Sequence, residues 1–292
     1  MKFDKLLKSG KKLICDGAMG TQLIERGLGA GECPELWNIE KPEMIKAIHS
    51  AYIEAGAQMI ITNTFGGNLP KLKNYNLQDK ADVINRKAVE IALAASSGRA
   101  AVLGGIGPTG QFLEPLGTYS KEEFREIFHR QSKSLADAGA EAIIIETMTD
   151  VNELAAAVEA AVSTKLPVAA SMSFAKDINR DDYHTIMGVD VKTFVNRAEE
   201  CGAGIICVNC GTGPQDILKI VERIIALTSL PVMAEPNAGL PQYKNGQTFY
   251  RQSPEEFASE AALIFKAGAL IVGGCCGTTP EHIRKLSVLL NK

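Results

Sequence analysis

Eight short apolar runs recur along the chain, each followed by a stretch with helical periodicity, and this alternation restricts the fold more than any other feature. The runs are L-I-C-D-G (13–17), M-I-I-T-N-T-F (59–65), A-V-L-G-G-I-G-P (101–108), A-I-I-I-E-T (142–147), P-V-A-A-S-M-S-F (167–174), G-I-I-C-V-N-C-G (204–211), P-V-M-A-E-P-N-A-G (231–239) and L-I-V-G-G-C-C-G (270–277). Helical periodicity falls between them, at 42–55, 81–96, 121–138, 151–163 and 254–267. Several of these stretches stop at A-G-A or C-G-A (55–57, 138–140, 201–203, 267–269), where a glycine can take the left-handed helix cap. Near-continuous apolar strands separated by helices imply a parallel sheet covered on both faces. Eight of them in 292 residues imply a (β/α)8 TIM barrel, a single α/β domain over residues 1–292. An open doubly wound sheet is the alternative, weakened because no glycine-rich dinucleotide fingerprint opens the first helix.

Composition removes other classes. A formal net charge of −3 with no long basic run gives no nucleic-acid signal. No apolar stretch approaches the roughly 20 residues of a membrane span, and the M-K-F-D-K-L-L-K start has no secretory core. A cytoplasmic protein without membrane or nucleic-acid partners is the expectation. The cysteines are Cys15, Cys33, Cys201, Cys207, Cys210, Cys275 and Cys276, an odd number that argues against a disulfide framework.

Polar residues interrupt the apolar runs where each strand gives way to its loop: Asp16, Asn63 and Thr64, Glu146, Asn209 and Cys210, Glu235 and Asn237, and Cys275 with Cys276. In a barrel these ends share one face, the face that carries chemistry. Cys210 ends the sixth run and the two adjacent cysteines end the eighth. With one strand between, the axes lie about 10 Å apart, a gap that side chains leaning over the mouth can close. Three thiolates without a fourth protein ligand make a zinc site with an open position. Cys207, three residues before Cys210, is expected to point outward beneath a helix. Cys15, Cys33 and Cys201 have no matching geometry. Two other readings of the G-G-C-C-G-T-T-P stretch (273–280) stand beside the metal. One is a strained vicinal disulfide. The other is a phosphate cradle at a helix start capped by Thr278 or Thr279.

Three thiolates weaken zinc as an acid for water but suit it to holding a further thiol as its thiolate, which points to S-alkylation. The ordered set D-G-A-M-G-T, I-T-N-T-F, G-P-T-G, I-E-T-M-T-D, V-N-C-G, E-P-N-A-G-L-P and G-G-C-C-G-T-T-P resembles the homocysteine S-methyltransferase family, and within it the homocysteine-binding module of cobalamin-dependent methionine synthase. The resemblance covers essentially the whole chain. It implies a zinc-containing (β/α)8 barrel that methylates homocysteine to methionine, with Cys210, Cys275 and Cys276 as catalytic zinc ligands. It also implies that Asp16 and Gly17 line the homocysteine pocket and that Thr64 and Glu146 hold its amino-acid end. Asn209, Glu235 and Asn237 are candidates for the substrate pocket or for orienting the ligands.

One barrel filling 292 residues leaves no room for folate, corrinoid or reactivation domains. The segment Asp182–His184–Met187 approaches a corrinoid-binding D-x-H-x-x-G signature but has Met187 in place of glycine, and reads as a substrate-side loop. The methyl group is therefore expected from methylcobalamin on a separate corrinoid protein, or from a small donor such as S-methylmethionine or a betaine. A metal-free barrel acting on a phosphorylated substrate and a non-catalytic partner of a corrinoid protein are the competing functional classes.

Overall fold

The computed structural model describes residues 2–177, 182–244 and 247–290. Eight parallel strands alternate with eight principal helices. The strands are β1 (Leu13–Ile14), β2 (Met59–Ile61), β3 (Ala101–Ile106), β4 (Ala142–Met148), β5 (Val168–Met172), β6 (Ile205–Asn209), β7 (Val232–Glu235) and β8 (Ile271–Val272). The helices that follow them are α1 (Pro42–Glu54), α2 (Ala81–Ser96), α3 (Lys121–Asp137), α4 (Val151–Val162), α5 (Val191–Glu200), α6 (Pro214–Ile225), α7 (Pro254–Ala267) and α8 (Pro280–Leu290). Hydrogen-bonded ladders run β1-β8-β7-β6-β5-β4-β3-β2. A parallel bridge between Cys15 and Met59 joins the two ends. It is reinforced by the Ile61 amide donating to Asp16 Oδ2 at 3.0 Å. The sheet thus closes on itself as a (β/α)8 barrel, which excludes the open doubly wound sheet.

Period-2 alternation divides the strand residues between two layers. Leu13, Cys15, Met59, Leu103, Ile144, Ala169, Met233 and Ile271 fill the barrel, joined by Phe3 of the short helix Lys2–Lys8. Their neighbours Val102, Ile143, Ile145, Ile206, Val208, Val232 and Val272 pack outward against the helices. The helix stops have a common cause: Gly56, Gly139, Gly202 and Gly268 all have positive φ, a region open to glycine without a Cβ penalty. Ser120 and Ser253 start α3 and α7 with full capping boxes, each closed by a glutamate three residues on.

Cys207 departs from the expectation. It is fully buried inside the barrel with Ile205 and Met233, not beneath a helix. The alternation runs inward at Cys207 and outward at Val208, then ends, because Cys210 turns into the left-handed region at φ 60°. Cys207 and Cys210 therefore do not stand in a strand relationship at all. Two antiparallel hairpins rise from the loops, Ala175–Asp177 with Asp182–His184 after β5 and Gln242–Lys244 with Gln247–Phe249 after β7. Among the described residues no helix is long and apolar enough to cross a membrane.

Candidate functional site

Three thiols meet at the mouth of the barrel. Cys210 follows the last residue of β6, and its left-handed turn is held by its own N–H to Glu235 O (3.1 Å) and by Thr212 N–H to its carbonyl (2.7 Å). Cys275 and Cys276 sit in the loop after β8, where glycines are needed for space. A Cβ at Gly273 would lie 2.7 Å from the Asp16 carbonyl oxygen, and one at Gly274 2.6 Å from Thr278 Oγ1. Gly277 completes the turn at φ 81°. This backbone is irregular enough to direct two consecutive cysteines to one point, which a regular strand forbids.

The Sγ atoms of Cys210, Cys275 and Cys276 all lie within 4.8 Å of one another, with Cys210 Sγ and Cys276 Sγ 3.8 Å apart. A tetrahedral zinc with Zn–S bonds of about 2.3 Å requires S···S edges of about 3.8 Å. The donor set and its spacing therefore fit zinc. The neighbouring thiols of Cys210 and Cys275 pull Cys276 far below the usual thiol range, while Cys275 is pushed well up by the same contacts and by burial. The described cysteines are all free, so the vicinal disulfide is not formed.

Below and beside the thiols lies a cavity of about 280 Å³. Its wall includes Asp16, Glu35, Glu146 and Glu235, and no lysine, arginine or histidine among the described residues. Burial raises the carboxyls: Asp16 to about 7, Glu146 to about 8, and Glu235 well above the usual range. For Glu146 the negative charge of Asp16 and Cys276 adds to burial, and for Glu235 that of Glu146 and Asp16. A pocket so rich in carboxyls and so poor in cations favours positively charged occupants.

Ten of the eleven residues singled out in the sequence line this cavity: Asp16, Gly17, Asn63, Thr64, Glu146, Asn209, Cys210, Glu235, Cys275 and Cys276. Gly17 is there for clearance, since a Cβ would meet Thr278 Oγ1 at 2.7 Å. Gly105 gives Glu146 room in the same way, with its absent Cβ 2.6 Å from Glu146 Oε1. Thr64 spends its hydroxyl on Gly105 O at 2.7 Å and on Thr62 Oγ1 at 2.6 Å, so it shapes the wall. Asn209 is a brace. Its Oδ1 accepts from Thr147 N (2.9 Å) and Ser171 Oγ (2.6 Å), and its Nδ2 donates to Thr147 Oγ1 (2.8 Å) and lies 3.9 Å from Cys275 Sγ.

Asn237 does not line the cavity. It lies between Pro236 and Ala238, whose backbone groups bond Cys275 N and Cys276 O, and its Oδ1 is buried with no hydrogen-bond partner among the described residues. A buried acceptor in that state, on the loop that is bonded to the cysteine loop, is one that a water or a cation would satisfy.

Other expectations are corrected by the same geometry. Asp182, Tyr183 and His184 form a hairpin strand turned toward α6, where Asp182 pairs with Arg223, and none of them lines the cavity. Cys15, which had no assigned neighbours, groups with Asp16 and Glu235 within 4.8 Å and donates to Asp16 Oδ1 at 3.5 Å. The phosphate cradle fails because its amides are already used. Gly274 N–H bonds Asp16 O, Cys275 N–H bonds Pro236 O, Gly277 N–H bonds Thr21 Oγ1, and Thr279 N–H bonds His282 Nδ1. Sequence reasoning missed Thr147, Ser171 and Tyr250, and gave Thr278 only as a helix cap. Thr278 donates to Cys275 O and accepts from Ala18 N, and the Tyr250 ring fills the space beside Gly277.

Residues 13–290 match the model of the family described as homocysteine S-methyltransferase. The chain belongs to the homocysteine S-methyltransferase family. It is 32% identical to methionine synthase of Mycobacterium leprae (strain TN) over 289 residues, which is 94% of this chain and 24% of that relative. Methionine synthase of Mycobacterium tuberculosis (strain ATCC 25618 / H37Rv) is likewise 32% identical, across 96% of this chain and 24% of its own length. The chain thus spans about a quarter of these curated relatives. Among solved structures, the metallated form of the homocysteine methyltransferase MmuM from Escherichia coli superposes with a TM-score of 0.81 at 26% identity, covering 99% of this chain and 100% of that one. As a homocysteine S-methyltransferase family member, the chain presents its thiol triad and acidic cavity at the loop-bearing mouth of the barrel.

Proposed function

We propose that this chain transfers a methyl group to the thiol of homocysteine, giving methionine, at a zinc held by Cys210, Cys275 and Cys276. The observation that carries this reading is the thiol triad, whose 3.8 Å Cys210–Cys276 separation fits the edge of a zinc–thiolate tetrahedron. Bound there, zinc would supply the positive charge that keeps a substrate sulfur deprotonated near neutral pH. The chain's own residues do the positioning. Glu146 has no hydrogen-bond partner among the described residues and its carboxyl borders the cavity, so it suits an α-ammonium. Asn209 and Thr278 hold the cysteine-bearing loops, so the thiols are placed before substrate arrives.

For the donor we favour a methylcorrinoid carried on a separate protein, in keeping with the likeness to part of methionine synthase. A small cationic donor, S-methylmethionine or a betaine, is the second reading, favoured by a cavity with four carboxyls and no basic side chain in its wall. The chain would act as one domain, residues 1–292, in the cytoplasm.

The test is turnover of homocysteine by zinc-loaded protein with methylcobalamin, a methylated corrinoid protein, methyltetrahydrofolate, S-methylmethionine and betaine in parallel. Methionine from one of the corrinoid donors supports the favoured reading, and methionine from an onium donor alone supports the second. No methionine with any donor removes the proposal.

A further inference from the structure

Cys210 is a non-glycine residue at φ 60°, a conformation that persists only where its surroundings impose it. Asn209, on its N-terminal side, is braced against β4 and β5 through Thr147 and Ser171. On the C-terminal side the turn is held through Thr212. Its N–H donates to Cys210 O at 2.7 Å, and its own carbonyl accepts from Asn237 N at 3.0 Å. Its hydroxyl donates to Asp216 Oδ2 at 2.9 Å in the first turn of α6. The other oxygen of Asp216 accepts from Tyr183 Oη at 2.6 Å. Tyr183 is 2% exposed, belongs to the hairpin after β5, and packs its ring 5.2 Å from the Arg223 guanidinium.

We propose that Tyr183, Asp216 and Thr212 form a strut that positions the Cys210 thiol for metal binding, so that Tyr183 of the hairpin after β5 acts on the metal centre from outside the cavity wall. The proposal rests on the zinc reading of the triad. It assigns positioning residues that lie outside the cavity wall and outside the ligand set. Two hydrogen bonds in series link a buried tyrosine to the turn, and each ends on a different oxygen of one carboxylate, so the carboxylate is fixed in both position and rotation. Thr212 then bonds both Cys210 and Asn237, the two loops that flank the triad. A contact that steadied only the start of α6 would need Thr212 and Asp216 but not Tyr183.

Thr212→Val and Tyr183→Phe each remove one hydroxyl while keeping shape. Both are expected to retain the wild-type circular dichroism spectrum yet release zinc to a chromophoric chelator about 10-fold faster, the scale seen when an outer partner of a metal ligand is lost. In cobalt(II)-substituted protein the thiolate-to-cobalt absorption should weaken in both, and Thr212→Ser should restore it. A metal-free arm separates the strut from the zinc reading. Under reductant, iodoacetamide modification of Cys210 relative to Cys276, mapped by mass spectrometry, should accelerate in both variants. Zinc release, cobalt spectrum and Cys210 modification all equal to wild type would overturn the strut. A wild-type protein with no thiolate-to-cobalt band would overturn the metal reading, and Cys210 modification would still decide the strut. Change in Thr212→Val without change in Tyr183→Phe would reduce the assignment to a local Thr212–Asp216 contact and overturn it as well.

Discussion

Replacing Asn209 with alanine removes three hydrogen bonds at once, those with Thr147 N, Ser171 Oγ and Thr147 Oγ1. Asn209 is 1% exposed and Ser171 fully buried, so water reaches the vacated partners poorly. The Thr147 amide and the Ser171 hydroxyl lose their acceptor, at about 1–3 kcal/mol for each buried polar group left unpaired. The Thr147 hydroxyl loses a donor but can turn to another partner. The sum is a loss of about 3 kcal/mol. At about 2–4 °C per kcal/mol in a chain of this size, the midpoint should fall by about 6–12 °C. The measurement is urea unfolding and a thermal scan on metal-free, reduced protein, which keeps metal affinity out of the comparison. Ser171→Ala added to Asn209→Ala should cost less than Ser171→Ala alone, because the Ser171–Asn209 bond is already gone and only the contact of the hydroxyl with Cys207 is left to lose. A loss below about 1 kcal/mol in Asn209→Ala, or a double variant that is additive, would refute the brace and the stability worked from it.

Other outcomes follow from neighbouring residues. Gly277→Ala places a Cβ 2.3 Å from the Tyr250 ring at φ 81°; a loss of about 2–4 kcal/mol is expected, partly relieved by Tyr250→Ala in the same chain. His49 is fully buried with no hydrogen-bond partner among the described residues, and burial lowers it to about 4 from 6.5. The unfolded chain therefore takes up a proton below 6.5 that the folded chain refuses, so this contribution is complete above pH 6.5 and is lost as pH falls toward 4. It amounts to about 3 kcal/mol. His49→Leu should flatten the stability-versus-pH curve by that amount between pH 6.5 and 4, as read by urea unfolding at several pH values. Glu146→Gln should raise KM for homocysteine by about 10-fold or more through loss of a charged contact to the ammonium, with zinc content unchanged by elemental analysis.

Much of this architecture is legible in the sequence because it depends on local chemistry. The helices 81–96 and 254–267 have the extent expected from periodicity, and the A-G-A stops fall at glycines with positive φ. Strand ends are less legible. The apolar runs at 59–65 and 270–277 are far longer than the ladders Met59–Ile61 and Ile271–Val272, because the polar and glycine residues that finish each run have left the sheet to build the mouth. The same departure explains Cys207. Period 2 cannot relate it to Cys210 once the backbone turns left-handed between them and the loop. The thiol triad was visible because cysteine is distinctive at a strand end. Its supports were not, since Thr147 and Ser171 are ordinary residues whose partner Asn209 lies far away in the chain, and Thr212 reads as part of a loop.

Zinc K-edge X-ray absorption, recorded with and without homocysteine, tests the central claim most directly. Three sulfur neighbours at about 2.3 Å are predicted in the substrate-free protein. Homocysteine should raise the count to four, and Cys275→Ala should abolish zinc binding. A spectrum that homocysteine leaves unchanged, or a first shell without the three sulfurs, would contradict the account.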